Sequence, residues 1–262
     1  MTAALDLSPV AGEWISATRL AGGILRVKAR QHEGALLVEA SGHGDYGPGA
    51  CGQVVADGVF ADSASSNTSC AFIATFYGDK LISQMQANQV YGLLTGHTFH
   101  RFTDGRRDYF TRECYVPHNK GTSAVGHPAS REFPAALRTG RNEPGALVGT
   151  WMSLHPAATG RVRALECTAT EGGLGVRARG TGRGEPADLG TAAARLYADA
   201  TRPDDPPAFI ATFNHEHLRV YLQARINRGV LVVCEFTEFA DESGRSDYFI
   251  RECFRLTRRA EA

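Results

Sequence analysis

The chain is poor in lysine: Lys28, Lys80 and Lys120 are the only three among 28 basic residues, and the other 25 are arginines. It also lacks net charge, because 28 acidic residues balance the 28 basic ones. No whole-molecule field is therefore available to recruit nucleic acid or an anionic membrane, and neither is expected as a partner. No apolar run is long enough to span a bilayer as a helix. The first twenty residues lack a basic segment followed by an apolar one, so no secretory leader is expected. The six cysteines (Cys51, Cys70, Cys114, Cys167, Cys234, Cys253) are scattered with no C-x-x-C spacing. The expectation is a cytoplasmic protein whose thiols are reduced and buried as small apolar side chains. There is no G-x-S-x-G elbow and no P-loop. What is present is an ordinary globular balance, 43% apolar and 21% charged, enough for a real core.

The organising feature is an internal repeat. Ala71-Phe72-Ile73-Ala74-Thr75-Phe76 recurs unchanged as Ala208-Phe209-Ile210-Ala211-Thr212-Phe213. Asp108-Tyr109-Phe110-Thr111-Arg112-Glu113-Cys114 recurs with one change at Asp247–Cys253, and Gly12-Glu13-Trp14 is matched by Gly149-Thr150-Trp151. The offset is 137 from Trp14 through Phe102 and 139 from Tyr109 onward, because the second copy carries two extra residues in the preceding turn. The first copy occupies residues 10–116, the second 147–256, and 117–146 reads as a Pro- and Gly-rich linker with one short helix expected around 130–137.

Period-two alternation runs through both copies. Leu218, Val220, Leu222 and Ala224 share one face of a strand, as Leu81, Ser83, Met85 and Ala87 do in the first copy. Val230–Phe239 is rich in β-branched and aromatic residues. Asp104-Gly105 predicts a type I′ hairpin turn, and Asp241–Gly244 forms the longer equivalent. No useful helical stripe interrupts these strands. The prediction is an all-β protein of two tandem antiparallel up-and-down barrels, closure being one way to remove exposed strand edges.

The copies resemble the lipocalin/calycin superfamily of small barrels, which opens on a Gly-x-Trp strand and packs an Arg from near the last strand over the Trp ring. Trp14 and Trp151 stand in the opening motif, and Arg112 and Arg251 stand where the resemblance places the stacking cation. The resemblance implies eight strands per copy and a mouth able to hold one small ligand. Tandem proteins of similar architecture include cofactor-free cyclases of polyketide and terpenoid biosynthesis, among them bacterial spiroacetal-forming enzymes. No catalytic motif of those enzymes matches here.

Several residues invite chemistry and each has a plainer reading. Gly42–Gly47 fits G-x-G-x-x-G, but Pro48 and the following glycines argue against the helix that a dinucleotide site needs, so it reads as a barrel loop. His215-Glu216-His217 falls in a turn between strands and reads as exposed, and no metal or cofactor is expected. His97 shares an alternating face with Leu93, Thr95 and Phe99, taken as the inward face and matched by Val230, Val232, Cys234 and Phe236. There it is either a general acid/base or a hydrogen-bonded core histidine. Asp108, on the same face of the last strand as Phe110 and Arg112, is either a carboxylate of raised pKa in an apolar cavity or the start of a strand at a solvated corner. Residues identical in both copies, including Asp108 and Asp247 or Glu113 and Glu252, favour a structural role. Divergent positions, such as His97 against Cys234 and Gln84 against Tyr221, are the better candidates for a site.

The candidate catalytic residues are accordingly His97 and Asp108, and the candidate ligand contacts are Phe99, Gln84, Tyr221, Phe236 and Asp247. The expected function is binding of a hydrophobic small molecule by a monomer or homodimer. It takes one of two forms: a cofactor-free cyclase or isomerase of a polyketide-type secondary metabolite, or a non-catalytic carrier. A pair of barrels that meets a protein partner is the third reading. A buried inner carboxylate or histidine favours the enzyme, an apolar cavity the carrier, and a filled interior the partner-binding module.

Overall fold

The alternating runs become strands over most of the chain. The computed structural model describes residues 4–17, 22–42, 50–118, 135–155, 161–180, 188–204, 207–241 and 243–258. The first copy contributes β1 (Gly12–Ser16), β2 (Ile24–His32), β3 (Ala35–Gly42), β4 (Ala50–Val55), β5 (Gly58–Ala61), β6 (Ser69–Tyr77), β7 (Leu81–Val90), β8 (Leu93–Phe102) and β9 (Tyr109–Pro117). The second contributes β10 (Gly149–Ser153), β11 (Val162–Thr170), β12 (Gly173–Gly180), β13 (Asp188–Asp199), β14 (Ala208–Asn214), β15 (Leu218–Asn227), β16 (Val230–Phe239) and β17 (Tyr248–Arg258). The sheet runs up and down, and it turns back on itself where β1 pairs with β9 and β10 with β17. β4 and β5 together match the single β13. At the break, the Ala56 N–H donates to Leu36 and the Asp57 N–H to Ile73, both at 2.8 Å, so the chain changes partner without leaving the sheet.

Helical structure among the described residues amounts to 3-10 turns at Ala135–Leu137 and Gly145–Leu147. The first stands at the end of the short helix expected around 130–137; residues 130–134 lie outside the described residues, as do 43–47 of the glycine motif. None of the described helices is long and apolar enough to cross a membrane.

Type I′ geometry, with positive φ at two successive residues, occurs at Glu33-Gly34, Tyr91-Gly92 and Arg228-Gly229. It does not occur at Asp104-Gly105, where only Gly105 has positive φ and the strands stay apart from Phe102 to Tyr109. The Asp104 carboxylate instead takes the Arg106 backbone N–H and guanidinium, which commits the loop to a wider turn. Asp241 holds Ser243 and Arg245 in the same way in the second copy.

Two apolar clusters are each drawn from a single copy. One contains Trp14, Val27, Phe72, Met85, Leu94 and Tyr115, the other Trp151, Leu165, Phe209, Leu222, Leu231 and Phe254. Three further clusters join the copies, one of them setting Phe102 and Tyr109 against Ala198, Ala200 and Leu137 of the linker. In the other two, Phe60 and Ile73 pack against Phe236 and Phe249, while Tyr197 and Ile210 pack against Phe99 and Phe110. Under the repeat offsets these are the same contacts made twice, so the seam between the copies has pseudo-two-fold symmetry. Its backbone bridges repeat as well: Ala61 N–H donates to Asp247 at 2.8 Å and Ala198 N–H to Asp108 at 3.0 Å.

Candidate functional site

The face on which each site residue lies follows from strand parity. On β9, Thr111, Glu113 and Tyr115 are buried on the core face, so Phe110 and Arg112 point the other way. On β8, Leu94, Thr98 and His100 face the core, which sends His97 and Phe99 to the seam. This reverses the expected inward face. The cause is that the second copy buries the outer face of these strands, so apolar residues occupy both parities and alternation loses its meaning.

The expected Arg–Trp stacking is overturned by the same reversal. Trp14 lies in its copy's core cluster while Arg112 stands exposed on the opposite face of β9. Arg251 reaches across the seam instead, donating to Asn88 Oδ1 at 2.7 Å. Trp151 donates its indole N–H to Leu147 at 2.9 Å. The Gly-x-Trp motif has a separate basis. Gly12 and Gly149 sit at φ +148° and +141°, where side chains are disfavoured, and a Cβ on Gly12 would stand 3.2 Å from the Trp14 ring nitrogen.

Asp108 and Asp247 occupy equivalent corners. Oδ1 of Asp108 accepts the Phe102 N–H at 3.0 Å, and Oδ1 of Asp247 accepts the Phe239 N–H at 2.8 Å. Burial raises the Asp247 carboxyl above its ordinary value. The second oxygen of Asp108 crosses the seam to Arg195 at 3.0 Å. Asn142 of the linker clamps the same spot, donating to the Asp108 and Leu196 carbonyls and accepting from Arg107.

Beside this corner the seam opens into a trough. One cavity of about 390 Å³ is walled by Thr75, Ile82, Gln84, Phe99, Tyr197 and Ile210, with Arg101 and Arg195 at its edge. A second, of about 590 Å³, is lined by Arg106, Arg107, Arg141 and Arg195 around Asp108. The two share Ala193 and Arg195. At the place related by pseudo-symmetry, Tyr221 stands where the first copy has Gln84. It packs on the Phe60–Phe236 cluster with Arg219 4.3 Å above its ring. Of the expected ligand contacts, Gln84 and Phe99 therefore line the trough. Tyr221 and Phe236 pack at the place related to it by pseudo-symmetry, and Asp247 serves its corner.

His97 is buried away from both cavities. Burial, then the charges of Arg251, Arg225 and Arg112, hold its pKa well below the ordinary value, so it stays neutral at physiological pH. His215 lies in the β14–β15 turn with Nε2 3.1 Å from the Leu189 carbonyl, and His217 is exposed beside Glu216.

The reversed faces also hid polar groups inside the copies. Glu235 is buried and accepts from the Arg161 and Val162 N–H groups, Thr237 and Tyr248. Burial raises its pKa against the pull of those donors. Glu113 accepts from Ser16 at 2.9 Å and Glu252 from Ser153 at 3.0 Å, the same tie between first and last strand in each copy. His100 contacts Ser83 Oγ at 2.9 Å, and its ring lies 4.5 Å from that of Tyr109. A charged residue at core parity on β16 is the signal that would have found Glu235.

No protein-family model matches the chain, and no curated protein does. Among solved structures, a protein of unknown function from the DUF3598 family of Nostoc punctiforme is similar over 96% of this chain and 97% of its own, at 10% identity and a TM-score of 0.33. That likeness carries neither a site nor an activity to this chain.

Proposed function

We propose that the copies are two tandem lipocalin-like barrels set side by side, and that the protein binds a hydrophobic small molecule bearing an acidic group in the trough between them. The observation that carries this reading is the cavity that Gln84 and Phe99 wall, at a position where the second copy instead carries Tyr221 packed on the Phe60–Phe236 cluster. Each copy holds an apolar cluster of its own, whereas the trough sets apolar walls beside polar and charged groups. Its volume is in the range of small-molecule sites. Phe99 and Tyr197, edge to face at 5.0 Å, offer an apolar wall. Gln84, which donates one amide N–H to Thr75, keeps the other for a ligand, and Arg101 and Arg195, the latter also bonded to Asp108, suit a carboxylate.

A second reading, the cofactor-free cyclase or isomerase of a polyketide-type metabolite, draws support from Asp108. Its carboxylate lines the larger cavity beside Arg195, a position from which a base could take a proton from a substrate oriented by the trough.

Parinaric acid, an apolar fluorescent chain with one carboxylate, tests the binding reading. The wild-type chain is expected to bind it saturably. Gln84→Tyr, which gives the first copy the side chain the second already has, is expected to abolish binding with an unchanged circular-dichroism spectrum. Native mass spectrometry of protein from its producing cells should likewise show a small-molecule adduct that Gln84→Tyr loses. Equal binding by both proteins would remove the trough from consideration.

A further inference from the structure

A second group of cations lies in the seam next to the trough, to which it is tied where Gln86 donates to Gln84 at 3.0 Å. Across β7, β8 and β9 the strand register sets Gln86, His97 and Arg112 side by side. Across β15, β16 and β17 it sets Gln223, Cys234 and Arg251 in the matching row. Next to these rows, Asn88 of the first copy corresponds to Arg225 of the second. The rows meet across the seam, where Arg251 donates to Asn88 at 2.7 Å while its Nε lies 3.5 Å from Cys234 Sγ. The pseudo-two-fold that relates the copies turns the Arg251–Asn88 contact into a juxtaposition of Arg112 with Arg225. One side of the axis thus has a guanidinium bonded to an amide, and the other has two guanidiniums. Arg112 and Arg251 both act on Arg225, and all three arginines act on His97.

Asp199 acts on Arg225 from beyond ion-pair distance, and burial and the neighbouring guanidiniums outweigh it, so the Arg225 pKa is lowered. Among the described residues, none of the three arginines forms an ion pair. The polar groups around them are buried with bonding capacity unused. Nε2 of His97, Oε1 of Gln86, Oε1 of Gln223 and Nε of Arg225 have no hydrogen-bond partner. His97, Gln86 and Gln223 are each no more than 4% exposed. Leaving such groups unmatched in a packed interface is costly, and like charges brought together add to that cost. Arg112 and Arg251 are exposed, so the cluster is open to solvent from the rim. Several guanidinium donors and a neutral imidazole make a donor set suited to a multiply charged oxyanion.

We propose that this cluster binds a small oxyanion of the phosphate class, held by Arg112, Arg225 and Arg251 with the ring N–H of His97 as a neutral donor. The ligand lies on the pseudo-two-fold and touches both copies, so its binding favours the closed seam. Arg112, Arg225, Arg251 and His97 do not line the trough, so the proposal is tested separately from the ligand-binding reading given above. The copies diverge here as they do at Gln84 and Tyr221: Arg225 in place of Asn88 supplies the third cation.

The test is calorimetric titration of inorganic phosphate into the full chain, against sodium chloride at matched ionic strength. One saturable site per chain is expected, with a rise in Tm beyond the chloride control. Arg225→Asn is expected to weaken phosphate binding by about tenfold or more, the loss of charged hydrogen bonds. Its Tm without phosphate should be unchanged or higher, because a repulsion is relieved. Arg112→Gln, an exposed position whose loss does not threaten the core, should weaken binding similarly, whereas Arg255→Gln elsewhere on β17 should not. Glycerol 3-phosphate separates the two sources of the group. Binding of both compounds assigns the site to the phosphate of a larger molecule, and binding of inorganic phosphate alone assigns it to the free ion. Absence of saturable binding beyond the chloride control overturns the proposal, as does binding that survives both Arg225→Asn and Arg112→Gln. Either result leaves the parinaric acid experiment untouched.

Discussion

A buried histidine that cannot take up a proton links this fold to pH. His100, against Ser83 and Tyr109 on the core face of β8, has its pKa pushed down by burial from 6.5 to about 3. Above pH 6.5 the ring is neutral in folded and unfolded chains alike and contributes no pH dependence. Below that value the unfolded chain binds a proton that the folded chain refuses, so stability falls as pH falls toward about 3. The slope is about 1.4 kcal/mol per pH unit for each such histidine, and His97 acts in the same direction. Glu235 opposes them, because burial makes the folded carboxyl hold its proton more tightly than the unfolded one above 4.5. Urea unfolding of wild type and His100→Gln at about pH 7, 6 and 5 checks the assignment. The variant starts less stable but should lose stability more slowly on acidification, by roughly one proton's worth of slope. Parallel profiles would show that His100 is not the group responsible.

At the scale of the element, β8 and its counterpart β16 are packed on two sides. Phe236 meets Phe60 edge to face at 5.1 Å and Phe249 at 4.8 Å, all on the seam face. Phe236→Ala should therefore cost about 3–5 kcal/mol, as for a core phenylalanine. The measurement is the denaturant midpoint, and a change under about 1 kcal/mol would mean that the seam is loosely packed. Double burial also explains what could be read from the sequence. Strand positions were legible, because alternation, β-branched content and the repeat agree. The seam-facing direction of His97, Phe99 and Arg112 was not, because apolar residues on both parities remove the contrast by which an inner face is recognised. Glu235 and His100 were missed as interior groups for the same reason. The wide turn at Asp104 depends on an Arg106 contact that the Asp-Gly pair does not reveal. The trough is a property of how the two copies meet, to which no local pattern refers. Its one legible sign was the divergence of Gln84 from Tyr221.

At the scale of the whole molecule, each copy has an apolar cluster of its own, and the seam couples them. The coupling includes two aromatic clusters, backbone bridges, the Asp108–Arg195 and Arg251–Asn88 contacts and the clamp by Asn142 of the linker. Unfolding one copy alone exposes both aromatic clusters at once. The intermediate with one folded copy therefore carries the whole cost of the seam, and wild-type unfolding should be a single transition with equal calorimetric and van't Hoff enthalpies. The pseudo-two-fold places Phe99 and Phe236 at equivalent positions, one in each cluster. Replacing both by alanine removes the centre of each while leaving the interior clusters of the copies intact. The two sites share no cluster, so their costs should add. Scanning calorimetry of the Phe99→Ala, Phe236→Ala chain should then resolve two transitions, or give a van't Hoff enthalpy well below the calorimetric one, because a half-folded state no longer forfeits a strong interface. A single transition with equal enthalpies would show that the copies do not fold as separable units and that the continuous sheet, rather than the seam packing, makes them one.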